Sequence, residues 1–277
     1  MRLHEIPGRP KDALLNGAVR PWHIVFIVAV ALAVSAVAAW EVTRKYESHR
    51  GELYIALCSA MAGAIYLAYV FVVPEFRRSL PVLFARPIVR PHPADLAWAF
   101  FAMLCWGYGL YRIAFLFPLM QVKPELSQVM GFGDAGVPIG PVYLAIGFAA
   151  VVVAPLAEEV MFRGFLMNLW IAKWGLWAGI IASSVVFGLF HLERTVYAAV
   201  MGIAFAMVYL KYDSLWPGIA LHAAYNLLTF NWLLGQVVTI KSSAAIQDLA
   251  SWIPEMIVAM LFFPVAYIFW RRFRPAR

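Results

Sequence analysis

Glu158, Glu159 and Arg163 are the residues whose types and spacing first suggest chemistry. They end an apolar run, Val142 to Ala157, that carries no charge. A charge at bilayer depth costs about 2.5–3.5 kcal/mol on insertion scales, so charges there are rare and functional by default. On a helix Glu159 and Arg163 are four apart with the acid first, the favourable order for an ion pair. Glu158 is turned about 100° around the axis and need not share that arginine. One acid is tethered and its neighbour is free for chemistry. A single Glu–Arg pair would be explained as structure; the second Glu tips the balance toward function.

The six histidines stand at 4, 23, 49, 92, 191 and 222, and only His191 and His222 lie well inside the apolar spans of the second half. His191 closes the run Phe187-x-x-x-His191. His222 and Asn226 are four apart and share one face of their helix. Such a set suits hydrolysis of an amide by water in a partly dry cavity. Glu158 would take a proton from the water and later return it, with His191 sharing the water or shuttling its proton. Neutral His222, through an N–H, and the Asn226 amide would donate to the oxyanion, where fixed donors in low dielectric count most. A chain reversal near Lys173-Trp174-Gly175 puts Glu158 and His191 level, each about 25 Å from the turn. Asn226 would fall about 7 Å short of that level.

The elements that must position these residues are apolar helices. The chain has 277 residues, 64% hydrophobic and 13% charged, against about 45–50% and 25% in soluble domains. That much apolar surface cannot be hidden in one core, whereas a span needs about 20 apolar residues. The fold class is therefore all-α, a polytopic membrane protein of about eight transmembrane helices. Residues 1–20 form a polar N-terminal segment. Residues 21–141 hold three spans, Trp22 to Trp40, Leu53 to Val73 and Leu96 to Pro118. Between the last two runs a basic loop, Pro74 to Asp95, broken by five prolines, and Met120 to Pro141 reads as a second loop. Residues 142–238 are the catalytic core: a fourth segment from Val142 toward Trp174, then Leu176 to Leu192, Val196 to Leu210 and Leu215 to Val238. Residues 239–277 add a polar loop, a last span, Trp252 to Trp270, and a basic tail.

Ser35-Ala36-Val37-Ala38-Ala39 resembles a signal cleavage site, but the run is long and no soluble domain follows, so the span is expected to stay. Counted by alternating sides, one set of loops carries 15 Lys and Arg and the other 6, which puts both termini in the cytoplasm. The net charge of +7 is explained by those loops; no basic-aromatic groove for nucleic acid is visible. Gly179 with Ser183, Ser184 with Gly188, and Ala198 with Gly202 and Ala206 make small-residue ladders for close helix packing. Cys58 and Cys105 lie in apolar runs and read as packing residues.

Together, Glu158-Glu159-x-x-x-Arg163, Phe187-x-x-x-His191 and His222-x-x-x-Asn226 resemble the three motifs of the CPBP family, the type II CAAX prenyl proteases and their bacterial relatives. The resemblance covers about a third of the chain and says little of the first half. It implies an eight-helix intramembrane glutamic endopeptidase. In it Glu158 activates water with His191, His222 and Asn226 form the oxyanion hole, and Glu159, Arg163 and Phe187 support the site. No cofactor is implied. The expected partners are membrane lipid and a protein or peptide substrate, prenylated or not. The expected location is a prokaryotic plasma membrane.

Two rivals stand beside this. Glu158, His191 and His222 could hold zinc, since two His with one carboxylate is a catalytic set, although no His-Glu-x-x-His occurs. A transporter with a buried proton relay, or an idle scaffold, would also use intramembrane Glu and His. Gly131-Phe132-Gly133-Asp134 resembles an aspartyl-protease motif only superficially, because no second aspartate lies in a span. Ser183 and Ser184 lack a serine-protease setting.

Overall fold

A computed structural model describes residues 20–43, 50–107, 147–191, 195–229, 250 and 253–274. Among them every element is helical and none is a strand. The second half of the third span with Arg112, both the 120–141 and 239–249 stretches, and Gly131 to Asp134 lie outside the described residues.

The first two spans appear as α1 (Pro21–Thr43) and α2 (Arg50–Val72), packed against each other. The proline-rich stretch after them is not the open loop expected from its five prolines. The chain bends by 84° at Val73 and continues as α3 (Pro74–Arg77) and α4 (Leu80–Leu83), each with a proline in its first turn. A proline cannot prolong α2, because it lacks the N–H and its ring crowds the carbonyl four residues back. At a new helix start it is tolerated, since that N–H would have no partner anyway. The prolines punctuate helices here. α5 (Pro93–Cys105) begins the same way, with the His92 ring accepting from the Ala94 N–H at 3.2 Å.

The segment from Ala149 to Thr229 is a helical hairpin followed by two more helices. Its first arm runs without a break through a π segment π1 (Ala149–Val153), α6 (Ala154–Glu158), a second π segment π2 (Glu159–Leu166) and α7 (Met167–Trp174). Gly175, at φ 88°, makes the reversal expected there, a conformation open to glycine because it has no Cβ. α8 (Leu176–Leu189) returns along α7. A Cβ on Gly179 would stand 2.5 Å from the Ile171 nitrogen, so the ladder glycine is what lets the two arms touch. α9 (Thr195–Tyr212) packs on α8, with Gly202 against Ser184. α10 (Leu215–Thr229) follows, carrying Pro217 in its first turn as the sequence suggested. The last span is divided into α11 (Ile253–Met260) and α12 (Phe262–Phe273).

Among the described residues two helices, Trp22–Glu41 and Thr195–Tyr212, are long and apolar enough to cross a membrane, and the bent pair would make a third. α5 and α8 are apolar but shorter. The expected count of eight is therefore not reached by this measure. The long fourth segment is interrupted by wide turns, and parts of the expected third and seventh spans lie outside the described residues.

The stretch after α2, the junction of α9 and α10, and α12 meet one another. The Trp216 ring N–H donates to the Phe84 carbonyl at 3.1 Å, and the Ile88 N–H to the Tyr212 carbonyl at 3.0 Å. Asp95 receives Lys211 at 2.7 Å and Arg272 at 2.8 Å, tying α5, α9 and α12 together. Burial alone would push the Asp95 carboxyl up, but hydrogen bonds from Lys211 and Arg272, and their charges, hold it below the usual carboxylate range. A carboxyl depressed in the folded state lends stability at any pH above its unfolded value, about 3.9. That stability is lost as pH falls through the lower, folded value. Asp95→Asn is expected to flatten the acid limb of thermal unfolding followed from pH 6 to pH 3. The gap from wild type should close toward low pH and stay near about 1 kcal/mol or less, as for other partly exposed pairs. Equal acid sensitivity in both proteins would remove this link.

Candidate active site

Pro155 shapes the arm that carries the two glutamates. An α-helix cannot pass a proline unchanged, and inside a membrane the freed backbone groups are met by local π adjustment and by neighbouring side chains. Here the turns before it widen, so that the Ala154 N–H donates to the carbonyl of Ala149, five residues back. π2 begins immediately after Glu158. The acidic pair thus sits at the junction of two wide turns, a setting often found at functional sites.

Glu159 and Arg163 form the expected i,i+4 ion pair, 3.0 Å from Nη1 to Oε1, with 0% and 2% of their side chains exposed. The second guanidinium nitrogen donates to the Gly202 carbonyl at 3.2 Å. The guanidinium lies 4.4 Å from the centre of the Phe187 ring and 5.1 Å from that of Phe205. A planar cation between aromatic faces retains attraction that burial would otherwise remove. Arg163 and Glu159 are therefore a built, dry pair.

His222 joins this pair rather than standing apart as an oxyanion donor. Its Nδ1 is 3.1 Å from Glu159 Oε1, and its ring stacks on Phe205 at 4.5 Å and 23°. A carboxylate already taken by an arginine can only accept, so the proton of this bond sits on Nδ1. The other ring nitrogen, Nε2, faces Glu158 Oε2 at 3.6 Å. The result is a chain of carboxylate, imidazole and second carboxylate. Glu158, 25% exposed, is its open end. Gly218 leaves room beside Glu159: a Cβ there would stand 3.2 Å from Glu159 Oε2.

His191 holds its Nδ1 2.8 Å from the Phe187 carbonyl. A carbonyl only accepts, so Nδ1 carries the hydrogen of this bond. The His191 ring lies 4.6 Å from the Phe187 ring, and His222 lies 6.1 Å from the same ring. His191 thus reaches the cluster through Phe187, and among the described residues it makes no hydrogen bond or ion pair with Glu158. Asn226 donates from Nδ2 to the Ala150 carbonyl at 2.8 Å. It shares a face of α10 with His222, as its spacing requires, but it lies opposite a residue eight positions before Glu158. The level expected for it was wrong in sign. Leu215 packs beside Gly164 rather than beside the turn at Gly175, so α10 starts deep and Asn226 passes the level of the acids instead of falling short. The single pocket expected from the four residues is thus a tight group of Glu158, Glu159, Arg163 and His222. His191 lies one ring away, and Asn226 two turns along.

Two partners of the site were not singled out in the sequence. Phe205, on α9, supports both Arg163 and His222. Asn168 donates to the Arg163 and Gly164 carbonyls, each at 2.8 Å, and to the Tyr209 hydroxyl at 3.0 Å. Widening a helix frees carbonyls, and Asn168 takes two of them. A polar residue inside Leu166-Met167-Asn168-Leu169-Trp170 was the available signal. Among the described residues no three His, Cys, Asp or Glu side chains are arranged to hold a metal ion.

Large apolar side chains face outward, among them Val196 at 71% and Phe263 at 79% exposure. With the helical fold and the buried charges inside, they define an integral membrane protein with a polar site enclosed by helices. Residues 140–228 match the Rce1-like family, described as type II CAAX prenyl endopeptidase Rce1-like. The match bears out the resemblance read from the three motifs, and the family is one of peptidases acting on protein or peptide substrates. No curated protein and no solved structure matches the chain.

Proposed function

We propose that this chain is an intramembrane endopeptidase that hydrolyses a peptide bond of a membrane-associated protein or peptide, by a water that Glu158 activates. The observation that carries this is the buried group Glu158–His222–Glu159–Arg163, standing within the segment that matches a peptidase family. Glu158 takes a proton from the water as its oxygen bonds to the carbonyl carbon. His191 shares that water or shuttles its proton. The proton reaches the amine nitrogen as the C–N bond breaks, and the other hydrogen of the water stays on the new carboxyl. His222 Nε2, which faces Glu158, can relay that proton, and carrying a hydrogen it donates to the oxyanion.

If the substrate is a CAAX-type tail, the cut releases the three residues after a prenylated cysteine; relatives in the family need not require prenylation. The proposed setting is a multi-pass protein of a prokaryotic plasma membrane with both termini in the cytoplasm. The mechanism needs no metal. The test is substrate trapping by a Glu158→Gln variant, followed by mass spectrometry of cleaved ends in membranes with and without the active protein. New ends that depend on Glu158 support the proposal. Identical ends in both membranes, together with substrate-dependent proton flux in sealed vesicles, would place the same residues in a transporter. Activity lost in a strong chelator and restored by zinc alone would favour a zinc-dependent mechanism.

A further inference from the structure

Pro155 and Asn226 are linked by a missing hydrogen. In the π register of π1 the Ala149 carbonyl is met by the Ala154 N–H. The next carbonyl, Ala150, is then due a bond from residue 155, and proline has no N–H to give. Its only other backbone donor, in α register, would be Ala154, and that hydrogen already goes to Ala149. A carbonyl left without a donor away from water is costly. The donor that arrives is the Asn226 carboxamide, from α10, at 2.8 Å. One turn earlier on the same face, His222 meets both glutamates. The asparagine therefore fixes α10 against the glutamate arm at the register in which His222 reaches Glu158.

We infer that Asn226 is a positioning residue that supplies the donor missing at Pro155 and so sets His222 opposite Glu158. This role rests on the proposed peptidase only for its activity readout; the hydrogen bond itself is independent of what the site does.

The test is a double-mutant cycle of Asn226→Ala and Pro155→Ala in the full chain, read by thermal unfolding in detergent and by turnover. Pro155→Ala restores an N–H that can meet Ala150. Asn226→Ala alone is expected to lower kcat at least tenfold at saturating substrate with a small change in KM, and to lower the unfolding temperature. In the Pro155→Ala background the same change should have a clearly smaller effect on both readouts, because the carbonyl no longer needs the side chain. Additive losses in both would overturn the inference and return Asn226 to direct contact with the reacting oxyanion. Coupling in unfolding but not in kcat would restrict the link to structure and also overturn the positioning role. If no variant nor the wild type cleaves anything, the proposed function has failed, and the unfolding cycle still decides the hydrogen bond. Should Asn226→Ala not fold, Asn226→Asp serves in its place, since a carboxylate also lacks the donor that Ala150 needs.

Discussion

Glu158→Gln is expected to abolish measurable hydrolysis, a loss of at least about 10²–10⁴-fold, the range for a positioned acid–base group, while leaving the protein folded. Glutamine keeps the shape of the side chain and removes its ability to take a proton. Glu158 is a quarter exposed and, among the described residues, makes no ion pair with an arginine; His222 Nε2 lies 3.6 Å from its Oε2. Its loss therefore leaves no buried cation alone, and unfolding should shift by about 1 kcal/mol or less. Glu159→Gln makes the informative contrast. That acid is fully buried and receives both Arg163 and His222, so its replacement should destabilise the protein as well as reduce turnover. Two adjacent acids of the same type then separate cleanly, one by rate alone and one by rate and stability. Turnover in Glu158→Gln within threefold of wild type would show that the water is activated elsewhere. Steady-state hydrolysis of an identified substrate in detergent micelles, beside the unfolding temperature, is the measurement.

What the sequence could reveal of this site follows from how local each feature is. The Glu159–Arg163 pair depends on one turn of one helix, and i,i+4 spacing foretold it. The reversal at Gly175 was marked by a glycine after a run of helix formers, and the small-residue ladders marked where α7, α8 and α9 touch. The partnership of His222 with both acids depends instead on the relative height of two helices. That height is set by where Leu215 packs beside Gly164, and no spacing along one segment contains it. Counting 1.5 Å per residue from a shared turn failed for Asn226 for the same reason, and because wide turns change the rise. Pro155 was the warning: a proline within a helix implies an altered register and an orphan carbonyl nearby. Prolines misled in the other direction after α2, where they open short helices rather than a loop. The fold class, helical and membrane-embedded, was legible from composition alone. Eight spans are not counted among the described residues, where bends and wide turns divide apolar runs that look continuous in one dimension.

Arg163→Met is expected to be the most destabilising single change at the site, by about 3–5 kcal/mol, the cost of breaking a buried ion pair from one side. Methionine fills much of the space between Phe187 and Phe205 but leaves Glu159 in a dry site without its cation, and the Gly202 carbonyl without its donor. Arg163→Lys should lose less, because it keeps the charge while giving up the planar face and the second hydrogen bond. The decisive variant is the double one, Arg163→Met with Glu159→Gln. A buried pair replaced on both sides often recovers most of the stability lost by removing one member, so the double variant should unfold closer to wild type than Arg163→Met does. It should nevertheless remain nearly inactive, since His222 would no longer have a carboxylate on Nδ1 to keep Nε2 toward Glu158. Stability and turnover would then part company at one pair of residues. If instead the double variant regains activity along with its fold, the pair serves the scaffold alone, and the charge next to His222 has no part in moving protons.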